Sequence, residues 1–454
     1  MNKEKREPEF FPVYYPKEIN EDILISEEPS ELSTPDGNIQ GTCKIVLKCL
    51  PRASFRFYID ADIGNVPFPI GDPLENIKTL FLPERNLDVP GFSIEFNASS
   101  GFENKATITW ALKAEPFIAA GNGETLLSEV IFHIFNFTDF INFNRFYRET
   151  NEKGGWTRIN YIKLVWQDWE IEIRSLPQTS KINKDLKSSG GCGLTHVGFL
   201  RKLDKSSFEA KHAENILMGL RFMLSFTSGT WCSPVLPVGY NEKGEKVWEM
   251  WTSPAQYISP QTWFDRHNAQ QLENLFPGFM DKWVDDTWHR AIKESIYWYL
   301  RACDSYNGID AGIILIQAAI ERLSCEYAVN QKKLLTIYGF KDLWASDKFR
   351  LLFSSIDIPL EIPAALESIK IAAKKQSCNW LDSPHAFTEI RNSIVHPEHK
   401  NRDDVKALYY EAWSMGLWYL ELAILRLCNY EGNYSNRLTS KRVGEVENVP
   451  WQKA

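Results

Sequence analysis

An arginine, an asparagine and a histidine stand close together near the carboxy-terminal end of the chain, in the stretch TEIRNSIVHPEH at residues 388–399. His396 carries an imidazole, the side-chain group that proteins use most often to give or take a proton in catalysis. Arg391 carries a permanent positive charge, and Asn392 carries an amide that can donate and accept hydrogen bonds. These residue types predict a site for proton transfer beside a fixed positive charge.

The sequence around these residues predicts an amphipathic helix that stops at Pro397. Pro384 suits its first turn. Its apolar face is formed by Phe387, Ile390 and Ile394. On an unbroken helix His396 would lie about 140° round from Arg391, so the two side chains would not meet. Because a residue before proline is pushed out of the helical region, we expect His396 just past the last turn, free to swing back.

Length, composition and net charge indicate what class of protein contains this helix. The 454 residues are too many for one ordinary core, so two or three packed units are expected. With 44% hydrophobic and 24% charged residues, the chain is predicted to fold rather than to be disordered. A net charge of -8 argues against a protein that binds nucleic acid over its whole surface. It is compatible with a local basic groove.

Several features predict a cytoplasmic protein. The first ten residues, MNKEKREPEF, lack the apolar core of a signal peptide. The longest apolar run, AGIILIQAAI, has about half of the roughly 20 residues that span a bilayer, so no membrane segment is expected. The 8 cysteines have no CxxC spacing, which favours reduced thiols over a zinc site or a disulfide framework. No metal or other cofactor is predicted.

A β-rich domain is predicted over residues 36–265, after a flexible arm at residues 1–35 that is rich in Glu, Pro and Ser. Short alternating segments such as CKIVLKCL, SFRFYIDADI and ATITWALKA predict strands. In WEIEIRS, at residues 169–175, isoleucines alternate with Glu170, Glu172 and Arg174, which predicts one buried and one solvent-facing side. A helix near 207–227 and a hairpin turning at 241–244 follow. We expect a sandwich-like antiparallel arrangement.

An all-α bundle is predicted over residues 266–435, followed by a carboxy-terminal extension at 436–454. The stretch WVDDTWHRAIKESIYWYLRACDS has apolar residues at helical spacing, with Asp285 or Asp286 as its cap. AGIILIQAAI is apolar on nearly all sides, which is typical of a helix central to a bundle. A long apolar stripe through Trp413 and Trp418 is a candidate dimer surface. The fold class is therefore α+β and multidomain.

In this setting RNSIVH resembles the Arg-polar-x-x-x-His signature of the HEPN (higher eukaryotes and prokaryotes nucleotide-binding) superfamily, through Arg391, Asn392 and His396. That superfamily is an α-bundle with the motif late in the domain, after a long apolar helix like the one around IILIQAAIERL. The resemblance covers about residues 275–430. Among its branches, a β-rich region followed by such a bundle looks like the ApeA-like antiphage proteins.

The resemblance implies a metal-independent ribonuclease that works as a homodimer through the bundle, with Arg and His of two protomers facing one cleft. His396 would take the 2′-hydroxyl proton or protonate the leaving 5′-oxygen, and Arg391 would stabilise charge on the phosphate. Asn392 would orient the imidazole or bond a phosphate oxygen. It further implies an antiphage effector of abortive infection that cleaves cellular RNA such as tRNA, with a phage-derived trigger at the amino-terminal domain.

Three further residues are candidates for supporting this chemistry. Glu321 ends the buried apolar helix and is expected either to face Arg391 across the bundle or to lie on the surface. Lys400 and Arg402 follow the motif and are candidates for contact with substrate phosphates. Because acidic residues surround them, a solvated position is their alternative.

Two other interpretations stay open. In one, Arg391 pairs with a carboxylate at the bundle edge and His396 caps its helix, each a routine structural use. In the other, the chain is a non-catalytic RNA- or ligand-binding dimeric scaffold whose β-rich domain recognises a protein or a carbohydrate. No GxxxxGK[ST], HExxH or GxSxG motif indicates a different chemistry.

Overall fold

A computed structural model of the chain describes residues 10–35, 37–62, 77–98, 105–150, 156–259, 262–304, 308–375, 378–396, 405–439 and 444–452. Two antiparallel sheets form its amino-terminal part and a helical bundle forms its carboxy-terminal part. The α+β multidomain fold predicted from the sequence is confirmed. No helix in these ranges is long and apolar enough to cross a membrane.

The first sheet has seven strands in the order β5-β4-β1-β2-β3-β7-β6. They are β1 (Ile23–Thr34), β2 (Gly37–Lys48), β3 (Ser54–Asp62), β4 (Thr79–Leu82), β5 (Leu87–Val89), β6 (Gly91–Ala98) and β7 (Lys105–Leu112). Strand β1 lies inside this sheet, between β4 and β2. The prediction of a flexible arm over residues 1–35 is therefore wrong for residues 23–34. Its polar Glu28 is buried because Arg85 pairs with it at 2.8 Å.

The second, central sheet has eight strands in the order β11-β12-β13-β14-β10-β16-β17-β8. They are β8 (Phe117–Ala120), β10 (Glu129–Phe135), β11 (Phe146–Thr150), β12 (Trp156–Trp166), β13 (Trp169–Ser175), β14 (Leu194–Lys202), β16 (Pro234–Tyr240) and β17 (Lys246–Trp251). Two short ribbons pair β9 (Leu126–Leu127) with β15 (Phe208–Glu209) and β18 (Asn433–Tyr434) with β19 (Glu447–Asn448). The predicted hairpin between β16 and β17 is confirmed.

The central sheet is buried on both faces. In β10, Ile131 packs into a core shared with the first sheet, whereas its neighbours Val130 and Phe132 pack into a core shared with the helices. This follows from the alternation of side chains along a strand. The molecule is thus built in three layers: sheet, sheet and helices.

Burial on both faces overturns the solvent-facing side predicted for β13, since all seven of its residues are buried. Glu172 accepts a hydrogen bond from the Tyr147 hydroxyl at 2.6 Å. Glu170 pairs with Lys163 at 3.2 Å and with Arg201 at 2.9 Å. The alternation predicts which residues share a face, and these paired charges belong to a face that other elements cover.

Two helices accompany the central sheet, α1 (Thr179–Ser189) and α2 (Ala210–Ser228), and α2 confirms the helix predicted near 207–227. The bundle follows with α3 (Gln270–Val284), α4 (His289–Cys303), α5 (Ile309–Cys325), α6 (Ile337–Lys341), α7 (Ala345–Ser355), α8 (Glu367–Ala373), α9 (Ser383–Val395) and α10 (Tyr409–Leu427). The helix expected to begin at WVDDTW is two elements, because Asp285 adopts an extended conformation and ends α3. Its carboxylate then accepts from the Thr287 amide at 2.8 Å, inside the turn before α4.

Helix α10 forms the centre of the bundle. Trp413 and Trp418 are each only 5% exposed, and the Trp413 indole donates to the Ala302 carbonyl at 2.7 Å. The Trp418 indole donates to the Tyr434 hydroxyl at 3.0 Å. The stripe predicted as a candidate dimer surface is therefore the core of the bundle itself, and a dimer would have to use another surface.

Candidate functional site at the end of α9

Helix α9 has a firmly held first turn. The Asp382 carboxylate accepts from the backbone N–H of His385 at 2.9 Å, and Pro384 occupies the first turn as predicted. Arg350 from α7 donates two hydrogen bonds to the same carboxylate, from Nε at 2.6 Å and from Nη2 at 2.9 Å. Together these contacts cap the helix amino terminus and fix where α9 begins.

The other end of α9 confirms the effect expected of Pro397. The last helical residue is Val395, and His396 follows in an extended conformation with φ of -109° and ψ of 111°. The backbone N–H of His396 still donates to the Asn392 carbonyl at 2.9 Å. The His396 side chain is exposed and lies past the last turn of the helix. Its imidazole is therefore accessible to a ligand.

Arg391 is half-buried, and its Nε is shielded from solvent without a hydrogen-bond partner among the described residues. The guanidinium makes one long contact there, from Nη1 to the Asn392 Oδ1 at 3.4 Å. The Asn392 amide nitrogen lies 3.4 Å from a Glu389 carboxylate oxygen. Within those residues no carboxylate forms an ion pair with Arg391, so the alternative of a structural ion pair finds no partner. A guanidinium that is shielded from solvent and has no ion-pair partner can bind an anion through its N–H donors.

The packing around Gly416 and Gly312 shows how the neighbouring helices run. A Cβ atom on Gly416 would lie 2.9 Å from Ile316, and one on Gly312 would lie 2.9 Å from Trp413. Residues 312 and 316 of α5 therefore lie against residues 413 and 416 of α10, in the same order. Helices α5 and α10 run parallel.

Helix α9 runs in the opposite direction. A Cβ atom on Gly416 would lie 2.4 Å from the Phe387 ring, and the Ser383 hydroxyl lies near the Tyr419 hydroxyl. Residues 383 and 387 of α9 thus match residues 419 and 416 of α10 in reversed order. The carboxy terminus of α9 consequently lies at the end of the bundle where α5 and α10 begin. Helix amino termini carry partial positive charge, but the carboxy terminus of α9 carries partial negative charge. The first turns of α5 and α10 also contain Asp310 and Glu411, so at this end the positive charge of Arg391 is the feature that favours an anion.

Of the two positions expected for Glu321, the one facing Arg391 across the bundle is wrong, and the side chain is 30% exposed. Glu321 lies five residues beyond Ile316 on α5, and Arg391 lies four residues beyond Phe387 on the antiparallel α9. At 1.5 Å per residue the two side chains are displaced in opposite directions by about 13 Å in total. Glu321 instead accepts from Gln317 at 2.8 Å and pairs with Lys348 at 3.4 Å.

The remaining candidates, Lys400 and Arg402, lie outside the described residues. In the ranges that are described, no group of three or more His, Cys, Asp or Glu side chains is arranged to hold a metal ion. The sequence did not predict that α5 and α10 begin at the end of the bundle where α9 ends. Their position depends on the relative directions of three helices, which no local pattern encodes.

Two domain models match the chain. Residues 122–262, which include all of the central sheet except the edge strand β8, match the model described as the YopA central domain. Residues 285–448, which include Arg391, Asn392 and His396, match the model described as the YopA C-terminal domain.

The chain is also 29% identical over 444 residues to the SPbeta prophage-derived uncharacterized protein YopA of Bacillus subtilis (strain 168), covering 96% of each chain. No solved structure matches significantly.

Proposed function

We propose that the protein is a metal-independent endoribonuclease of the HEPN type, with its site at Arg391 and His396. The observation that carries the proposal is the pairing of two unusual features at the end of α9. A guanidinium with a shielded, unsatisfied Nε stands within one and a half turns of an exposed imidazole that has left the helix. The resemblance of RNSIVH to the HEPN signature supports the same conclusion.

The proposed reaction is attack of an RNA 2′-oxygen on the adjacent phosphorus. His396 takes the 2′-hydroxyl proton while the bond from phosphorus to the 5′-oxygen breaks, and that 5′-oxygen receives a proton. The products are a 2′,3′-cyclic phosphate and a 5′-hydroxyl. Arg391 stabilises the negative charge that accumulates on the phosphate oxygens, and Asn392 orients the imidazole or binds one of those oxygens.

The same reaction explains why a homodimer is proposed. Cleavage needs one group to remove a proton and another to deliver one, whereas each chain supplies a single motif histidine. Two copies that face each other would provide both groups and two guanidinium ions around one phosphate.

For the biological role we propose an antiphage effector that cleaves cellular RNA such as tRNA after the sheet layers recognise a phage-derived trigger. The relative is described as prophage-derived, which is consistent with a role in conflict between phages and their host. The bundle shares a hydrophobic core with the central sheet, so a change in that sheet can reach the helices through direct packing.

The test compares the full-length wild type with Arg391→Ala and His396→Ala on total cellular RNA in EDTA, and repeats the comparison in phage-infected cells. Fragments and their terminal phosphates are read by sequencing of cyclic-phosphate ends. We expect wild type to cut and each variant to lose roughly 10²–10⁴-fold in rate, the usual contribution of a positioned acid–base group.

Matched controls are Arg290→Ala and His212→Ala, since both side chains are exposed and distant from α9. These variants should cut like wild type. Equal cleavage by all five proteins would overturn the proposal. RNA binding without cyclic-phosphate ends in either setting would favour the non-catalytic scaffold instead.

A further inference from the structure

A small cavity lies far from α9, between helix α2 and the β16–β17 side of the central sheet. Its volume is about 210 Å³. The apolar part of its wall consists of Pro116, Leu217, Met218, Pro234, Pro237 and Met250. A cavity below the roughly 300–1,000 Å³ of drug-sized ligand sites suits a small molecule with an apolar body.

Two opposite charges line this cavity from the same helix. Glu214 and Arg221 are seven residues apart on α2, so they share one face at a spacing of about 10.5 Å along the axis. Oε1 of Glu214 and Nε of Arg221 are shielded from solvent, and neither has a hydrogen-bond partner in the described part of the chain. The Arg221 guanidinium lies over the Trp231 ring at 5.0 Å, which holds it in place.

Burial acts on both groups in the direction expected of unsatisfied charges. It raises the pKa of Glu214 and lowers the pKa of Arg221. Oε1 of Glu214 and Nε of Arg221 have no hydrogen-bond partner among the described residues that would offset this desolvation. A ligand with complementary charges would supply both partners at once.

Two other polar side chains of the wall, Glu115 and Thr252, already have hydrogen-bond partners. Glu115 accepts from the Ser253 amide at 2.5 Å and from its hydroxyl at 2.8 Å. The Thr252 hydroxyl accepts from the Leu236 amide at 3.1 Å. Leu236 itself has a φ of 48°, a left-handed conformation that is rare for a leucine, and it interrupts the regular pairing of β16 with β10. Such strained positions often border ligand sites.

We propose that the cavity binds a dipeptide or tripeptide with free ends and apolar side chains, its carboxylate on Arg221 and its ammonium on Glu214. The spacing decides the class of ligand. An amino acid carries its two charges on one carbon, whereas an extended peptide separates them by about 3.5 Å for each added residue. This site is separate from the proposed nuclease, and its test needs no RNA.

The first experiment titrates the full-length protein calorimetrically with alanyl-leucine and with alanyl-leucyl-alanine. Each peptide is also used with its amino end acetylated and with its carboxyl end amidated. We expect at least one free peptide to bind and either modification to weaken it by roughly tenfold or more, the loss expected for a charge-assisted hydrogen bond. If neither free peptide binds, or if the modified peptides bind as well, the assignment is wrong.

The second experiment uses Glu214→Gln and Arg221→Gln to find which side chain binds the amino end of the peptide and which binds its carboxyl end. Acetylation should weaken binding to wild type but have little further effect on Glu214→Gln, and amidation should behave likewise on Arg221→Gln. Arg290→Gln and Glu294→Gln, an ion pair on α4 that does not line the cavity, serve as matched controls that keep full binding. Independent, additive losses would contradict the proposed orientation, whereas the wild-type titration stays informative even if a variant fails to fold.

Discussion

Two shielded arginines of the bundle have opposite surroundings. The Arg437 side chain is 9% exposed and binds the fully buried Glu421 of α10, with Nε 2.9 Å from Oε2. The Tyr299 hydroxyl donates to the same carboxylate at 2.6 Å. Arg391 has only the 3.4 Å contact to Asn392 among the described residues. A paired buried charge is typical of structure, and an unpaired one indicates a place for a ligand.

The sheet layers repeat this contrast. Glu249 is fully buried between the two sheets, where Arg85 and Lys246 each approach it to 2.9 Å and the Tyr14 hydroxyl donates to it. Across the central sheet, Glu214 and Arg221 line a cavity, and Oε1 of Glu214 and Nε of Arg221 have no hydrogen-bond partner among the described residues. Both proposals therefore rest on the same physical argument, applied to two separate places.

Breaking the paired arginine should have the largest effect. Arg437→Leu leaves the Glu421 carboxylate buried in the middle of α10, so we expect a loss of about 3–5 kcal/mol in the free energy of unfolding. At present burial alone would lower the pKa of Arg437, and Glu421 together with Tyr299 and Cys303 raises it overall. Urea unfolding followed by tryptophan fluorescence measures the change.

The control for this prediction is the double variant Glu421→Leu/Arg437→Leu. Removing both charges should restore most of the lost stability, because no buried charge is left unpaired. A loss below about 1 kcal/mol in the free energy of unfolding of Arg437→Leu would mean that the Glu421–Arg437 pair does not stabilise the fold. Arg437 could then not serve as the structural arginine with which Arg391 is compared.

A second test uses two buried histidines of the central sheet. The ring of His133 accepts from the Tyr14 amide at 3.0 Å and contacts the Val235 carbonyl at 3.2 Å, whereas neither ring nitrogen of His196 has a partner in the described ranges. Burial lowers the pKa of His196 to about 3 and is the main cause that lowers the pKa of His133 to about 4. Both rings are therefore neutral in the folded protein at neutral pH.

The sign of the pH dependence follows from these directions. The unfolded state, with histidine near 6.5, binds more protons than the folded state below that pH, so stability falls as the pH falls from 6.5 toward 3. His196→Leu should remove the part of this pH dependence that is due to His196. The fall in the free energy of unfolding between pH 7.5 and pH 5 should therefore be about 2 kcal/mol smaller than in wild type. At pH 7.5 it should be neutral or stabilising, while His133→Leu should cost about 1–3 kcal/mol. Equal losses at pH 7.5 would show that His196 has a structural partner.

Local rules predicted part of this architecture and failed where distant residues decide. The end of α9 was predictable because Pro397 acts on the residue directly before it. The burial of Glu170 and Glu172 was not, because alternation says which residues share a face and not what covers that face. Strand β1 was missed for a similar reason, since Glu28 is neutralised by Arg85, 57 residues away.

A third prediction concerns the contribution of Arg391 to the stability of the fold. Arg391→Met keeps the apolar stem of the side chain and removes a charge that has no ion-pair partner among the described residues. We expect a change in the free energy of unfolding within about 0.5 kcal/mol, together with loss of RNA cleavage. Urea unfolding and the cleavage assay are run on the same preparation. A loss above about 2 kcal/mol would instead make Arg391 a structural residue and remove the distinction from Arg437.

The smallest expected effect is that of Glu321→Gln on cleavage. Glu321 lies toward the amino-terminal end of α9, about 13 Å along the helix axes from Arg391, and it is engaged by Gln317 and Lys348. The amide keeps the shape of the side chain, so the rate should change by less than about twofold, or roughly 0.4 kcal/mol. A loss as large as that of His396→Ala would mean that Glu321 reaches the reacting phosphate. The reversed direction of α9 would then be wrong, and with it the placement of the helix amino termini beside His396.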